Sequence, residues 1–390
     1  MKLEEEGKLG VNDKVSKYIP DFPRGDEVTL RHLLTHTSGI HDYTDDQDIL
    51  SRVTNATTTE TLIDEMKKDP YDFDPGTKFR YDNAGYLLLG YIVEKVSGQS
   101  YGDFLREKFF QPLGMTNTGV YRALLGLPHE AMGYGLGTNG FKRALYWDPS
   151  WSGGAGALYS TVGDLYRWNE GIFNARALDA ASLKAVFTPV KVTKGQVNSD
   201  TGYGFGWAVD RHRGLRVFHH GGSLPGFRSC LLRVPDEKFT VTTLANARPG
   251  RPGADAERLT DQLVEIFLAD KLASLPIVNT NVSPKSYDAL TGRYDLGIGG
   301  KGSAHDRQQT RPASFVQCNR PSGKGNFSRV HDRILLERGG RPNHVREGQQ
   351  RQGCQTYRSR KRPRPGNPAG KVTKTIYHQG GQTVDAPKIQ

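Results

Sequence analysis

Apolar positions follow a helical period along the first part of the chain and a strand period after about residue 200. Thr29-Leu30 opens a short helix with Leu30, Leu33 and Leu34 on one face, stopped at Ser38-Gly39. In FRYDNAGYLLLGYIVEKVSG, residues 79–98, Ala84, Leu87, Leu88, Tyr91 and Ile92 fall at i, i+3, i+4, i+7 and i+8. Leu89 and Val93 add apolar groups on the other side, which predicts a helix buried all round with Gly98 as its C′ residue. Ser100 with Asp103 has the form of a capping box for the next helix, ended by Pro112. Thr161 with Asp164 opens another, carrying Leu165 and Trp168. Residues 206–210, 215–219, 227–234 and 239–246 then read as strands. Short turns at Gly214, Pro225-Gly226 and Asp236-Glu237 make the neighbours antiparallel. A covering helix follows over 254–271, with Leu259, Leu263, Ile266 and Phe267 on one side. The fold class expected is α/β: a mainly antiparallel sheet flanked by helices, with a helical subdomain.

Composition changes this picture mainly at the C-terminal end. Residues 301–390 carry 19 basic against 5 acidic groups, a net of +14, while residues 1–300 carry 34 against 37, a net of −3. The basicity therefore belongs to the tail. A nucleic-acid partner would have to rest on that tail alone, and none is expected. Segment 301–368 shows no sustained period and is expected to be aberrant or disordered. Periodicity returns in GKVTKTIYHQGGQTVDAPKIQ, residues 370–390, as two strands around Gly380-Gly381. The division expected is a first domain over 1–275 and a small β appendage over 276–390. No apolar run approaches the ~18 residues of a membrane helix, and MKLEEEGKLG does not have the pattern of a signal peptide. Cys230, Cys318 and Cys354 form neither a disulfide framework nor a metal-ligand spacing. His36, His41 and Asp42 lack a recognised metal motif, so no metal and no cofactor is expected.

Three local patterns bear chemistry: Tyr81-Asp82-Asn83, a Y-x-N; His220-Gly221-Gly222-Ser223, in VFHHGGSLPGF; and LLTHTSGI, residues 33–40. Taken singly they have plain structural readings: a core tyrosine, an asparagine N-cap and a strand histidine satisfied by backbone. Together with PLGMTNT (112–118), GGAGALYSTVGDLYRW (153–168) and YGFGWAVD (203–210), they resemble the beta-lactamase-related serine hydrolases over roughly residues 1–270. That superfamily holds class C beta-lactamases, D-alanyl-D-alanine carboxypeptidases, D-amino-acid peptidases and carboxylesterases. The resemblance implies a beta-lactamase/transpeptidase-like fold, a small-molecule or peptide substrate, and a periplasmic or extracellular setting for a full-length member.

The resemblance also assigns roles. Tyr81 would shuttle the proton to the leaving group, and Asn83 would hydrogen-bond the substrate carbonyl or a lysine. His220 would face the substrate. Gly221 and Gly222 would let the substrate approach the strand edge, and the Ser223 N–H would supply half of an oxyanion hole. A phenol is a poor base at pH 7 until a neighbouring ammonium lowers it. In the family, that ammonium and the nucleophile come from an S-x-x-K motif. None of the serines in these 390 residues has a lysine three positions on. The expectation is therefore a chain lacking the nucleophilic helix and the strands ahead of it, inactive as written. It further leaves the 239–246 strand with an unpaired apolar edge. A neutral histidine holds a carboxylate less firmly than a lysine, which favours an esterase or peptidase over a dedicated beta-lactamase.

Overall fold

The structure is a computed structural model that describes residues 1–123, 125–192, 201–248 and 256–274, with short strands placed between 293 and 386. The chain divides into two compact units, each described by itself: Met1–Ala273 with Gly300–Ala304, and Ser274–Gly299 with His305–Gln390.

The first unit packs helices against one antiparallel sheet. The helix Leu30–Leu34 begins where Thr29 accepts the His32 N–H while His32 Nδ1 accepts the Thr29 N–H, a reciprocal capping pair. The helix Ala84–Ser97 ends at Gly98 in the left-handed conformation, φ 70°. Its Leu87, Leu88 and Ile92 are buried with Leu33, Leu62 and Tyr43 in one cluster. Truncating such a leucine to alanine costs ~2–5 kcal/mol. The helix comes unusually close to the short turn Gly153–Gly156, because Gly90 and Gly154 meet with no side chain between them.

The sheet runs β1 (Gly202–Tyr203), β2 (Ala208–His212), β3 (Leu215–Leu224), β4 (Phe227–Val234) and β5 (Phe239–Ala245), paired antiparallel in that order. Two strands differ from expectation. β2 starts at Ala208 because Gly206 sits at φ 76° and turns the chain. β3 runs five residues past His219, since the tight hairpin Leu224↔Phe227 continues its pairing with β4. β2, however, stops at Ala208↔His219. From His220 onward, β3 therefore has a strand partner on one side only among the described residues. At the turn Gly226 sits at φ 81°, and an added Cβ would lie 2.7 Å from Gly133, so only glycine fits there. β5 is the outer strand of this sheet, and its sequence FTVTTLA is uncharged. The helix Ala256–Phe267, shorter than expected, covers β4 and β5 through Val264 and a Thr243–Thr260 hydroxyl contact of 2.7 Å.

In the second unit Thr375–Gln379 pairs antiparallel with Gln382–Ala386 and with Gln355–Arg358. Arg293–Tyr294, Ala313–Phe315 and Leu336–Arg338 form another antiparallel set. Most of segment 301–368, and with it the expectation made for it, lies outside the described residues.

Candidate active site

The Y-x-N segment is extended chain held by the LLTHTSGI block. His36 is buried at φ 54°; its carbonyl accepts the Arg80 N–H at 3.0 Å and its Nδ1 accepts the Asp82 N–H at 3.2 Å. That acceptance places the imidazole proton on Nε2. Gly39, at φ 77°, lets the Phe73 carbonyl come where a Cβ would stand 2.0 Å away. Asp82 rather than Asn83 caps the long helix, its Oδ1 accepting the Gly85 N–H at 2.6 Å.

Around His36 the rings gather: Tyr81 at 4.2 Å, Tyr203 at 4.7 Å and Tyr86 at 5.0 Å between centroids. On their far side lies a cavity of about 160 Å³ lined by Tyr81, Tyr86, Ala155, Tyr203, Gly206 and His220. Tyr81 and His220 thus meet across it, centroids 6.1 Å apart. The Tyr203 hydroxyl reaches His220 Nε2 at 2.9 Å, and His220 Nδ1 reaches the Gly221 carbonyl at 2.7 Å. A carbonyl only accepts, so Nδ1 carries the proton and Nε2 accepts from the tyrosine. Burial lowers the His220 pKa, partly countered by the bond to Gly221, and the ring is neutral at pH 7.

Tyr81 is 46% exposed. Even so, desolvation among the rings, then the charges of Asp42 and Asp82, push its phenol up to about 12. Burial moves Tyr86 and Tyr203 upward as well. The ammonium that would move Tyr81 the other way is not among the causes acting on it.

The remaining expected residues separate. Asn83 turns away from the cavity lining, its amide nitrogen donating to Asp42 Oδ2 and Thr44 Oγ1 at 3.0 Å each. Gly221 and Gly222 lie on β3 beside His220. The space a Cβ would take at Gly221 holds the Glu257 carboxyl at 2.2 Å, and at Gly222 the Ser229 hydroxyl at 2.3 Å. A side chain at either position would have to displace the end of a neighbouring side chain, the Glu257 carboxyl or the Ser229 hydroxyl. The Ser223 hydroxyl is exposed and accepts from the Arg228 guanidinium across the hairpin. His219, the register alternative to His220, pairs with Ala208 and Leu232 and does not line the cavity. His41 contacts Asp72 at 3.2 Å and Asp46 at 3.5 Å, away from Asp42.

Sequence reasoning missed Tyr86, Ala155, Gly206 and the part played by Asp42. Tyr203 is 8% exposed, so it is core as well as cavity wall. Ala155 and Gly206 sit inside GGAGALYS and YGFGWAVD, blocks whose presence was the available signal.

The strand edge of β3, the Tyr81 phenol and the neutral His220 imidazole thus border one cavity among the described residues. The chain belongs to the Beta-lactamase family, whose model matches residues 1–265. It is 33% identical over 264 residues to a penicillin-binding protein of Bacillus subtilis (strain 168), covering 63% of this chain and 56% of that protein. PbpX of the same strain is 32% identical over 229 residues, covering 58% and 53%. The chain thus spans about half the length of the curated relatives it matches. Among solved structures, a D-stereospecific amidohydrolase from Streptomyces sp. aligns with TM-score 0.61 at 26% identity, covering 68% of this chain and 82% of that one. A penicillin-binding protein from Bacillus halodurans aligns with TM-score 0.58 at 28% identity, covering 68% and 81%. No helix of the described residues is long and apolar enough to cross a membrane.

Proposed function

We propose that the first unit carries the cleft of a serine hydrolase acting on a small amide, ester or D-amino-acid peptide through an acyl-enzyme. Tyr81 moves the proton between nucleophile and leaving group. The β3 edge from His220 to Leu224 holds the substrate backbone, and the Ser223 N–H serves the oxyanion. The carrying observation is that Tyr81 and His220 face one cavity beside that strand edge. The similarity to a D-stereospecific amidohydrolase supports an amide substrate. A neutral His220 supports a substrate without a carboxylate at that position.

The chain as it stands is proposed not to turn over. It contains no S-x-x-K, and a phenol held at about 12 is almost wholly protonated at pH 7. A second reading, a binding module that keeps the cleft, is favoured by His220, both of whose nitrogens are committed to protein partners. Incubation with a fluorophosphonate and with a labelled penicillin, read by intact mass, should give no covalent gain. Stoichiometric labelling of a serine overturns the inactivity and removes the binding-module reading.

A further inference from the structure

Alternation along a strand normally turns apolar residues toward the protein and polar ones toward water. One ribbon of the first unit reverses this. Tyr134–Gly137 pairs antiparallel with Gly140–Arg143, Leu136 opposite Phe141 and Tyr134 opposite Arg143. The Ala144 N–H donates to the Gly133 carbonyl at 3.0 Å and continues the register, which sets Met132 opposite Leu145. Residues two apart on a strand share a face, and so do cross-strand partners. One face of the ribbon is therefore Met132, Tyr134, Leu136, Phe141, Arg143 and Leu145. The other is four glycines, Lys142 and Ala144.

The glycine face is the one against the protein. A Cβ at Gly133 would stand 2.6 Å from the Phe227 ring, and a Cβ at Gly226 would stand 2.7 Å from both Gly133 and Ala144. The large face looks outward: Met132, Leu136, Phe141 and Leu145 are each 42–60% exposed. The ribbon is nevertheless anchored, since Tyr134 pairs with Ala247 and the Asn246 amide donates to the Met132 carbonyl at 2.9 Å. Four large apolar side chains held in water by a fixed ribbon read as a docking surface. Charge selects the partner. Between 122 and 147 the basic residues are Arg122, Lys142 and Arg143, and the one carboxylate is Glu130, whose Oε1 accepts the Tyr121 hydroxyl at 2.7 Å.

We propose that this face docks on an anionic lipid bilayer. The apolar side chains enter the interfacial layer, and Arg143 among them and Lys142 on the outer strand meet the headgroup phosphates. The three cross-strand pairs repeat every two residues, a strip about 13 Å long. It therefore lies on the surface and does not cross the ~30 Å hydrocarbon core. A second copy is the poorer occupant, because face-to-face packing about a two-fold axis centred on the ribbon sets Arg143 against Arg143. The Pro225-Gly226 turn that seats the ribbon also ends the β3 edge, so docking brings that end of the cleft to the bilayer.

The test uses the full chain and vesicles of phosphatidylcholine, with and without phosphatidylglycerol, scored by co-sedimentation over a lipid titration. The basic tail is the same in every variant, and high salt screens its charge. In high salt the parent should still partition onto the phosphatidylglycerol vesicles, and Leu136→Ser/Phe141→Ser about tenfold less. The Tm of that variant should not change, because both side chains are exposed. In low salt Arg143→Glu should lower partitioning about tenfold on the anionic vesicles and far less on the neutral ones. Equal partitioning of the parent and the double variant overturns the proposal, since the tail alone then holds the lipid. So does an absence of parent binding in high salt, which leaves the face to a protein partner. Self-association of the parent in sedimentation velocity, lost in the double variant, assigns the face to a second copy and also overturns it. If the double variant does not fold, Arg143→Glu decides: partitioning equal to the parent on anionic vesicles in low salt overturns the proposal.

Discussion

Tyr81 and Asp42 are each driven toward the neutral form. For Tyr81 the folded-state pKa lies above the free value, so its neutral form is favoured by folding; the associated stability is full below about pH 10 and is lost as pH rises toward about 12. NMR of ring-labelled tyrosine should show the Tyr81 phenol intact at pH 9.5. A phenolate signal at that pH would mean that a cation sits beside it and that the inactivity argument fails. For Asp42 the sign is that of a raised carboxyl. The native state holds its proton up to about 6 while the unfolded chain releases it near 3.8, so stability falls as pH rises from about 4 to 6. A difference of that size between folded and unfolded chain is worth roughly 3 kcal/mol. Asp42→Asn should flatten the Tm–pH curve over that window; a parent-like slope in the variant would assign the titration elsewhere.

The elements meet at points where a side chain is missing. At Gly154 an added Cβ would stand 2.5 Å from the Tyr86 carbonyl and 2.9 Å from the Gly90 Cα, both backbone atoms that cannot swing aside. Gly154→Ala should push the 153–156 turn off the Ala84–Ser97 helix at a cost of ~1–3 kcal/mol, a Tm drop of about 3–10 °C for a unit of this size. The turn carries Ala155, so the cavity should change shape too. An unshifted Tm would mean that the turn moves freely against the helix. A second fixed point is Arg233, 4% exposed, which donates to Glu170 at 2.7 Å and Thr240 at 2.8 Å and lies over the Phe173 ring at 5.0 Å. It ties the helix Val162–Phe173 to the sheet. Neither contact was legible in the sequence, because glycine and arginine show periodicity no partner.

For the whole molecule the charge is divided along the chain, −3 over 1–300 and +14 over 301–390. Interactions between exposed charges fall off over ~8 Å at physiological salt, so the tail should behave as a local cation despite the neutral body. The full chain should be held on a cation-exchange resin at pH 8 and released by moderate salt, and a chain ending at residue 300 should flow through. Equal retention of both would show that the body presents a basic face of its own.

Periodicity and end signals were enough to place the long helix with its Gly98 stop, the Thr29 and Thr161 caps and the β2–β5 meander, because those depend on neighbours within a few residues. Tyr81 and His220, singled out by the motif blocks, line one cavity. Where β3 loses its second partner, which nitrogen of His220 holds the proton, and which way the Asn83 amide turns were decided by residues far away in the chain. Asp42 lies 41 positions before Asn83 and Tyr203 lies 17 before His220. Such contacts exist only once the sheet and the helices have packed. The direction in which the Tyr81 phenol moves has the same origin: desolvation and the buried carboxyls act through space, and no spacing along the chain encodes them.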